Sequence, residues 1–288
     1  MAYLALAAAV AGIAWSAIFV RWAGVPGTVS AFYRVFVAGA VLLPWAAFVR
    51  ATAPGGPGAL APRAAWTAFL GGVFFALDLA LWNTAVMRTK AAVAVLLGNN
   101  TPIFVGLLSW IVFRRAPRAS FWIGLALALA GCATVVVPGL RYGNGNGGSL
   151  SGAALAVGAC FFFAAYLLTT ERVRRGMDTL TFNALAIAGS IAALLVFALA
   201  LRLPLAGFSG RTWLAFAGLG LISQLAAYYA VVYALGHLPA TITSVGLLAQ
   251  VPCTAFLAWL LLGEPLTPLQ IAGGGVVLVG IYVVNRDR

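Results

Sequence analysis

Ten long apolar stretches, separated by short polar connections, run through this 288-residue sequence. A helix needs roughly 20 apolar residues to cross a hydrocarbon core about 30 Å thick. Lipid offers no hydrogen bonds to the backbone, so a chain that crosses it must satisfy its own backbone groups, as a helix does. The ten predicted spans are residues 2–20, 28–49, 64–87, 91–113, 119–138, 150–170, 179–201, 211–235, 239–262 and 267–285. The sequence therefore predicts an all-α integral membrane protein with ten transmembrane helices and the lipid bilayer as its solvent.

The composition excludes several other classes of protein. Hydrophobic residues make up 64% of the chain and charged residues only 8%, whereas an average soluble domain has about 25% charged residues. The net charge of +12 lies almost entirely between the spans, and no basic stripe is present, so we expect no nucleic-acid partner. Cys132, Cys160 and Cys253 lie inside apolar stretches without metal-ligand spacing. We therefore predict neither a metal nor a cofactor.

The chain divides into two similar halves. Three residues of the first half recur 149 residues later, as the pairs Trp110 and Trp259, Gly124 and Gly273, and Gly131 and Gly280. We predict a first five-helix repeat over residues 1–140, a flexible Gly- and Asn-rich linker over 141–149, and a second five-helix repeat over 150–288. Five spans per half bring the second half into the membrane from the opposite side. The two repeats must therefore be inverted relative to each other.

Each half also carries a span that is broken by proline. Asn99-Asn100-Thr101-Pro102 interrupts the fourth span, and Gln250-Val251-Pro252 interrupts the ninth. A proline inside a membrane helix removes one backbone hydrogen bond and frees a carbonyl one turn earlier. Matching interruptions in two inverted halves indicate a substrate site near mid-membrane. We interpret Pro102 and Pro252 as the helix breaks of a secondary transporter that works by alternating access.

The basic residues in the connections predict the orientation of the chain in the membrane. Ten of them lie on the side that holds both termini, and six lie on the other side. An excess of Lys and Arg marks the cytoplasmic side. We therefore expect both termini in the cytoplasm.

Short motifs follow one another in a fixed order along most of the chain. They are Trp15-Ser16, Phe32-Tyr33-Arg34, Ala85 to Lys90, Pro102 with Trp110, Tyr233-Ala234-Leu235, Pro252, Leu262-Gly263-Glu264 and Gln270-Ile271-Ala272-Gly273. Their order and duplication resemble the drug/metabolite transporter superfamily, in particular its ten-helix EamA branch. One departure is that Arg115 stands in the first half where Glu264 stands in the second. The resemblance implies export of amino acids or other metabolites. Length and aromatic content are most similar to the bacterial exporters of aromatic amino acids, which implies a bacterial inner-membrane location.

Asp78 is a carboxylate near the middle of the third span. A charge at that depth costs at least ~2.5–3.5 kcal/mol on insertion scales, so it should face a cavity or a partner. We predict a protonatable substrate site that couples proton movement to transport, with Trp82 one turn away to stack on aromatic substrates. The alternative is a carboxylate near a water-filled mouth, or a structural partner of an arginine. Arg34 in the second span allows two interpretations as well, a ligand for a substrate carboxylate or a structural anchor.

Amides and hydroxyls accompany both helix breaks. Asn99 and Asn100 precede the first proline, and Ser244 and Gln250 precede the second. On the functional interpretation, these groups and the freed carbonyl near Gly98 bind a zwitterionic substrate. On the alternative interpretation, the side chains repair the broken backbone themselves.

Other spans carry further polar and aromatic candidates for substrate binding. They are Trp15 and Ser16 in the first span, Tyr166 in the sixth, and Gln224 and Tyr228 in the eighth. Contact between helices would explain each of them alone. Together with the preceding residues, they line spans one, three, four, six, eight and nine, whereas the fifth and tenth spans carry glycines. We predict a central cavity with the fifth and tenth spans outside it.

These residues predict export of small neutral or zwitterionic metabolites, with aromatic and apolar amino acids preferred. Phosphorylated substrates would need several basic residues in the cavity. Lipophilic cations, held by Asp78 and the tryptophans through charge and cation–π contact, are the alternative. An enzyme is not predicted, because the chain has no ATP-binding loop and no paired aspartates, Ser-His set or HExxH motif. Because one chain holds a complete pathway, we expect a monomer.

Overall fold

The computed structural model describes residues 1–53, 61–88, 97–142, 150–262 and 266–286. Within these ranges every regular element is a helix, and no β-strand occurs. Nine helices of the described chain are long and apolar enough to cross a membrane, and a tenth apolar helix is shorter. The predicted all-α membrane fold is confirmed.

We number the spans α1 to α10 in chain order. The spans formed by one helix are α2 Gly27–Ala51, α3 Pro62–Arg88, α4 Thr101–Ile111, α5 Ala119–Tyr142, α6 Leu150–Arg174, α7 Thr179–Ala200 and α10 Pro268–Arg286. The composite spans are α1, with Ala2–Ala14 and Ser16–Ala23; α8, with Gly210–Gly218, the π-helix Leu219–Ala226 and Ala227–Leu235; and α9, with Ala240–Gly246, the 3₁₀ turn Leu247–Ala249 and Gln250–Leu262.

Two of the predicted boundaries meet the edge of the described chain. Helix α5 continues to Tyr142, two residues into the predicted linker 141–149. The remainder of that linker, and residues 91–96 of the predicted fourth span, lie outside the described residues. So do Lys90 and Glu264 of the sequence motifs.

Local chemistry explains where several helices begin and end. The side chain of Asp178 accepts a hydrogen bond from the Thr181 N–H at the start of α7, which satisfies one of the free donors of a helix N-terminus. Pro268 opens α10, where a missing N–H carries no penalty. Gly24 ends α1 with φ at 61°, in the left-handed region that glycine adopts without strain.

The helices pack in a two-fold pattern. Helix α3 packs against α6 and α7, while α8 packs against α1 and α2. Helix α4 contacts α6, α9 contacts α1, and the pairs α2 with α7, α4 with α9 and α5 with α10 also form. If each helix is replaced by the helix five places away in chain order, α1 by α6 and so on, the same set of contacts results. The two halves of the chain therefore make equivalent contacts with each other.

Helices α5 and α10 show that the repeats are inverted. Gly124 of α5 lies against Gly280 of α10, and Gly131 lies against Gly273. Residue numbers rise along α5 as they fall along α10, so the two helices cross antiparallel. Their apolar side chains form a hydrophobic cluster with α9, separate from the main core. This position agrees with the prediction that α5 and α10 lie outside the helices that carry the polar candidates.

The chain begins and ends on one side of the membrane. The Tyr3 hydroxyl near the start of α1 donates a hydrogen bond to Asn285 Oδ1 near the end of α10, at 2.8 Å. An even number of spans requires this arrangement.

Glu171 joins the ends of three helices on one side of the membrane. One carboxylate oxygen pairs with Arg115, which follows α4, at 3.6 Å and with Arg175 at 2.7 Å. The other oxygen accepts the Ala240 N–H that begins α9, at 3.0 Å. Since α4 belongs to the first repeat and α9 to the second, these contacts tie the repeats together. We call Glu171, Arg115 and Arg175 the charged latch.

Candidate functional site

The guanidinium of Arg34 in α2 is the centre of a polar cluster between the two repeats. Its Nε donates to Gln224 Oε1 of α8 at 2.8 Å, and its Nη1 donates to Ser16 Oγ of α1 at 3.1 Å. The group also lies over the Tyr228 ring, 5.1 Å from its centroid. Arg34 is only 7% exposed. Three of the predicted site residues, Ser16, Gln224 and Tyr228, thus meet at one buried cation.

The π-helix in α8 places two adjacent polar residues on the interior of the protein. Ser223 and Gln224 are both buried, and both lie in the segment Leu219–Ala226. The Ser223 hydroxyl donates to the Gly12 carbonyl of α1 at 3.0 Å, while Gln224 meets Arg34. A π-helix is wider than an α-helix, and such segments are often found at functional sites.

Asp78 of α3 interacts electrostatically with the same cluster. It lies close enough for electrostatic interaction with the Arg34 guanidinium, the Tyr228 hydroxyl and the Cys160 thiol of α6. The hydrogen bonds of Arg34 go to Ser16 and Gln224. Among the described residues, no hydrogen bond and no ion pair joins Asp78 to Arg34 directly. The site holds a cation and a carboxylate as two separate groups.

Aromatic rings form an apolar wall beside the charges. Phe75 of α3 lies 5.0 Å from Tyr166 and 4.7 Å from Tyr228, measured between ring centroids. Phe163 of α6 packs on both tyrosines. Phe75 precedes Asp78 by three residues, so this helical spacing could have identified it in the sequence. Tyr166 joins the site through this wall and not through the guanidinium.

Trp82 connects the charged cluster to the break before α4. A Cβ on Gly98 would lie 2.7 Å from Trp82 Nε1, so the indole packs directly on the backbone at this glycine. Trp82 also lines a small cavity with Ser16, Ser30 and Arg34. The cavity has a volume of about 10 Å³, which admits at most one water molecule. The site is therefore closed in this conformation, and a substrate enters only if the helices move.

Protein donors occupy the carbonyls that the break before α4 exposes. The Leu97 carbonyl accepts from Asn100 Nδ2 at 3.0 Å and from the Cys160 thiol at 3.1 Å. The Gly98 carbonyl, one turn before Pro102, accepts from Cys160 at 3.2 Å. Asn100 thus donates to a backbone carbonyl beside the break, and Cys160 contacts the carbonyl that the proline frees. The sequence alone gave no sign that Cys160 takes part.

The break in α9 has a similar construction. The 3₁₀ turn Leu247–Ala249 precedes Gln250, and Pro252 is the third residue of the helix that follows. The Leu248 carbonyl, one turn before that proline, lies 4.0 Å from the Cys132 sulfur. Both proline-freed carbonyls thus face a cysteine from a neighbouring span. Ser244 donates to the Thr241 carbonyl of its own helix at 3.0 Å.

The structure divides the predicted site residues into three groups. Ser16, Asp78, Trp82, Gln224 and Tyr228 surround Arg34 or its cavity, and Tyr166 belongs to the adjoining aromatic wall. Asn99 and Asn100 lie at the turn before α4, and Ser244 and Gln250 lie at the break in α9. Trp15 stacks on Phe19 at the junction of the two parts of α1.

A second cavity contains none of the predicted residues. It lies between α2, α7 and α8, has a volume of about 310 Å³, and is lined by apolar and aromatic side chains such as Leu42, Trp45 and Leu225. Trp45 is 57% exposed, so this cavity opens at the outer surface of the bundle, where lipid surrounds the protein.

Two inverted repeats, a helix break in each and a buried polar cluster between them define a membrane transporter. Comparison with known proteins identifies its family. The chain matches the EamA-like transporter family over residues 1–137 and 150–286, and it belongs to that family. It is accordingly a transporter and not an enzyme.

Several relatives in bacteria and archaea carry the name transporter. The Uncharacterized transporter YwfM of Bacillus subtilis is 29% identical over 221 residues, which cover 75% of this chain and 72% of that protein. An uncharacterized transporter of Archaeoglobus fulgidus is 32% identical over 219 residues, or 72% of each protein. The Pseudopaline exporter CntI of Pseudomonas aeruginosa is 27% identical over 221 residues, or 75% of this chain and 74% of that one.

A solved crystal structure has the same fold. It superimposes with a TM-score of 0.79 over 99% of this chain and 97% of its own, at 17% sequence identity. The similarity extends over the whole chain and shows that the two proteins share an architecture.

Proposed function

We propose that the protein is a secondary transporter that exports small neutral or zwitterionic metabolites by alternating access, with aromatic and apolar amino acids as its substrates. The observation that carries this proposal is the cluster around Arg34. One buried cation, one carboxylate, neutral polar groups and aromatic rings share a single site there.

The charges of this cluster complement an amino acid. Arg34 offers a positive group to a carboxylate, and Asp78 offers a negative group to an ammonium. Phe75, Tyr166 and Tyr228 offer ring surfaces to an apolar or aromatic side chain. A phosphorylated substrate would need several basic groups, and among the described residues of this cluster Arg34 is the only one.

A lipophilic cation fits the same site less well. Asp78 and the aromatic rings would attract it. However, the Arg34 guanidinium already lies over the Tyr228 ring and would repel a second cation. This contact favours zwitterions over the alternative substrate class.

Alternating access is supported by the closed site and by the latch. The cavity at Arg34 is too small for an amino acid, so one face of the membrane must open and later close. The charged latch joins α4, α6 and α9 across the two repeats. Opening on that face would require these contacts to break.

Asp78 is the proposed coupling group. The charged and titratable groups that face it are Arg34 from α2, Tyr228 from α8 and Cys160 from α6. A proton and the ammonium group of a substrate would compete for its carboxylate. Inward movement of the proton would then accompany outward movement of the substrate, which is proton antiport.

We further propose a monomer in the bacterial inner membrane with both termini in the cytoplasm. The excess of basic residues on the side of the termini supports this orientation. The name of one relative, Pseudopaline exporter CntI, supports the direction of transport.

The test is flux of labelled phenylalanine and methionine in proteoliposomes, with and without an imposed pH gradient. We expect saturable flux that other neutral amino acids compete for and that the gradient accelerates. In the Asp78→Asn variant, the pH gradient should no longer accelerate flux, because an amide does not bind and release a proton as a carboxylate does. Acceleration that persists in this variant would reject Asp78 as the coupling group. Transport of a lipophilic cation in place of the amino acids would support the alternative substrate class.

A further inference from the structure

We propose that Arg34 is the residue that selects substrates for a free carboxylate, and that its Nη2 donates to that carboxylate. This inference rests on the proposed function and defines its substrate class more narrowly. Transported molecules would be carboxylates, and esters or simple amines with the same side chain, which lack a free carboxylate, would be rejected.

The hydrogen bonds of the guanidinium leave one of its nitrogens available. Nε donates to Gln224 and Nη1 donates to Ser16. Nη2 is buried and has no hydrogen-bond partner among the described residues. A buried donor without a partner is costly, and the cost is larger for a charged group. A substrate oxygen would remove it.

Two other polar side chains that line the adjoining cavity use their hydrogen-bond donors within the protein. Ser30 Oγ and Asn83 Nδ2 both donate to the Gly27 carbonyl, each at 2.8 Å. These two side chains and Arg34 line the same cavity. Arg34 is therefore the group with both a spare donor and a positive charge, which together favour an anionic oxygen.

The neighbours of Arg34 hold the guanidinium in place for this purpose. Gln224 and Ser16 fix two of its nitrogens from helices of different repeats. The Tyr228 ring lies beneath its plane. A lysine has no comparable fork of donors, so it would keep the charge but lose this geometry.

The experiment compares competitors of labelled phenylalanine flux in wild-type proteoliposomes. Phenylalanine and 3-phenylpropionate carry a carboxylate, whereas phenylalanine methyl ester and 2-phenylethylamine do not. We expect the ester and the amine to compete roughly tenfold to a hundredfold more weakly than phenylalanine, the range for loss of a hydrogen bond to a charged group. Because this series needs no variant, a misfolded protein cannot produce the result.

Variants then assign the effect to Arg34. In Arg34→Lys, the KM for phenylalanine should rise at least roughly tenfold and the preference over the methyl ester should shrink. Arg211→Lys is the matched control, because Arg211 is exposed at the start of α8. Unfolding temperatures of both variants show whether the fold is intact.

The outcomes separate this inference from the proposed function. Phenylalanine flux with equal competition by the ester and the amine would overturn the role of Arg34 and leave the amino-acid exporter standing. An unchanged preference in Arg34→Lys would do the same. Absence of flux for any amino acid would overturn both.

Discussion

Gly124 and Gly280 lie against each other so closely that neither has room for a side chain. A Cβ on Gly124 would lie 2.5 Å from the Gly280 carbonyl oxygen, and a Cβ on Gly280 would lie 2.5 Å from the Gly124 carbonyl oxygen. Gly131 and Gly273 make a similar close contact seven residues further along the same pair of helices. Because Gly273 follows Gly124, and Gly280 follows Gly131, by 149 residues, the two contacts involve equivalent positions of the two halves. The backbones of α5 and α10 therefore touch at two equivalent contacts.

Gly124→Ala should destabilise the protein. The added methyl group would overlap the backbone of α10, which cannot move away as a flexible side chain could. Overpacking of this kind costs about 1–3 kcal/mol, and we expect a lower unfolding temperature in detergent. Gly275→Ala is the matched control, because a Cβ there meets nothing within 4 Å. Equal unfolding temperatures for the two variants would contradict close packing of α5 on α10.

The glycines that form this contact could be predicted from sequence because their signal is simple. Small residues at a fixed repeat distance, in spans with few polar side chains, have few explanations other than close packing. The ten spans were predictable for the same reason, since the length and polarity of a membrane helix are set by the bilayer.

The arrangement of the site was not predictable in the same way. Arg34 meets Gln224 across 190 residues of sequence, and nothing local in either helix indicates that pairing. Gly218 and Gly220 stand at the start of the π-helix Leu219–Ala226, but two glycines do not by themselves distinguish it from an ordinary α-helical turn. Sequence reasoning could therefore name Gln224 and Tyr228 as candidates but could not assign Arg34 as their common partner.

Cys160→Ala should destabilise the backbone conformation at the break before α4, whereas Cys160→Ser should preserve it. The Cys160 sulfur lies 3.1 Å from the Leu97 carbonyl oxygen and 3.2 Å from the Gly98 carbonyl oxygen, so the two carbonyls share its one S–H donor. Alanine removes that donor, and the net loss for one hydrogen bond is about 0.5–1.5 kcal/mol. A serine hydroxyl restores the donor. Thermal unfolding of the two variants tests this, with Cys253→Ala as a control at a cysteine that is only partly buried. If Cys160→Ala and Cys160→Ser unfold at the same temperature, the thiol has no structural role as a donor.

Asp178 should make the stability of α7 dependent on pH. Burial raises the pKa of this carboxyl, but hydrogen bonds from Thr181 and Leu180 outweigh it and leave the pKa below its usual value. A group with a lowered pKa in the folded state stabilises the protein above its unfolded pKa, about 3.9, and loses that contribution as pH falls through the folded value.

The comparison of Asp178→Asn with Asp178→Ala separates the cap from the charge. Asparagine still accepts the Thr181 N–H but does not titrate, so its unfolding temperature relative to wild type should improve as pH falls below about 4. Alanine removes the cap and should cost about 1 kcal/mol at neutral pH. A constant difference between wild type and Asp178→Asn over the acid range would show that the carboxylate charge contributes nothing.

Glu171→Gln and Glu171→Ala should affect the charged latch to different extents. The side chains of Arg115 and Arg175 are 60% and 55% exposed, and exposed ion pairs contribute about 0–1 kcal/mol each. The Ala240 N–H is at the start of a membrane helix, where loss of a capping acceptor costs about 1 kcal/mol. Glutamine keeps an oxygen for this N–H and loses only the charge, whereas alanine loses both.

Amide hydrogen exchange in the first turn of α9 measures this difference directly. We expect exchange at Ala240 and the residues that follow it to rise clearly in Glu171→Ala and little in Glu171→Gln. Salt should weaken the ion pairs and not the cap. In 1 M salt, the exchange rates of wild type should therefore approach those of Glu171→Gln. If both variants exchange equally fast at low salt, the charge of Glu171, and not its hydrogen bond to the Ala240 N–H, protects the first turn of α9.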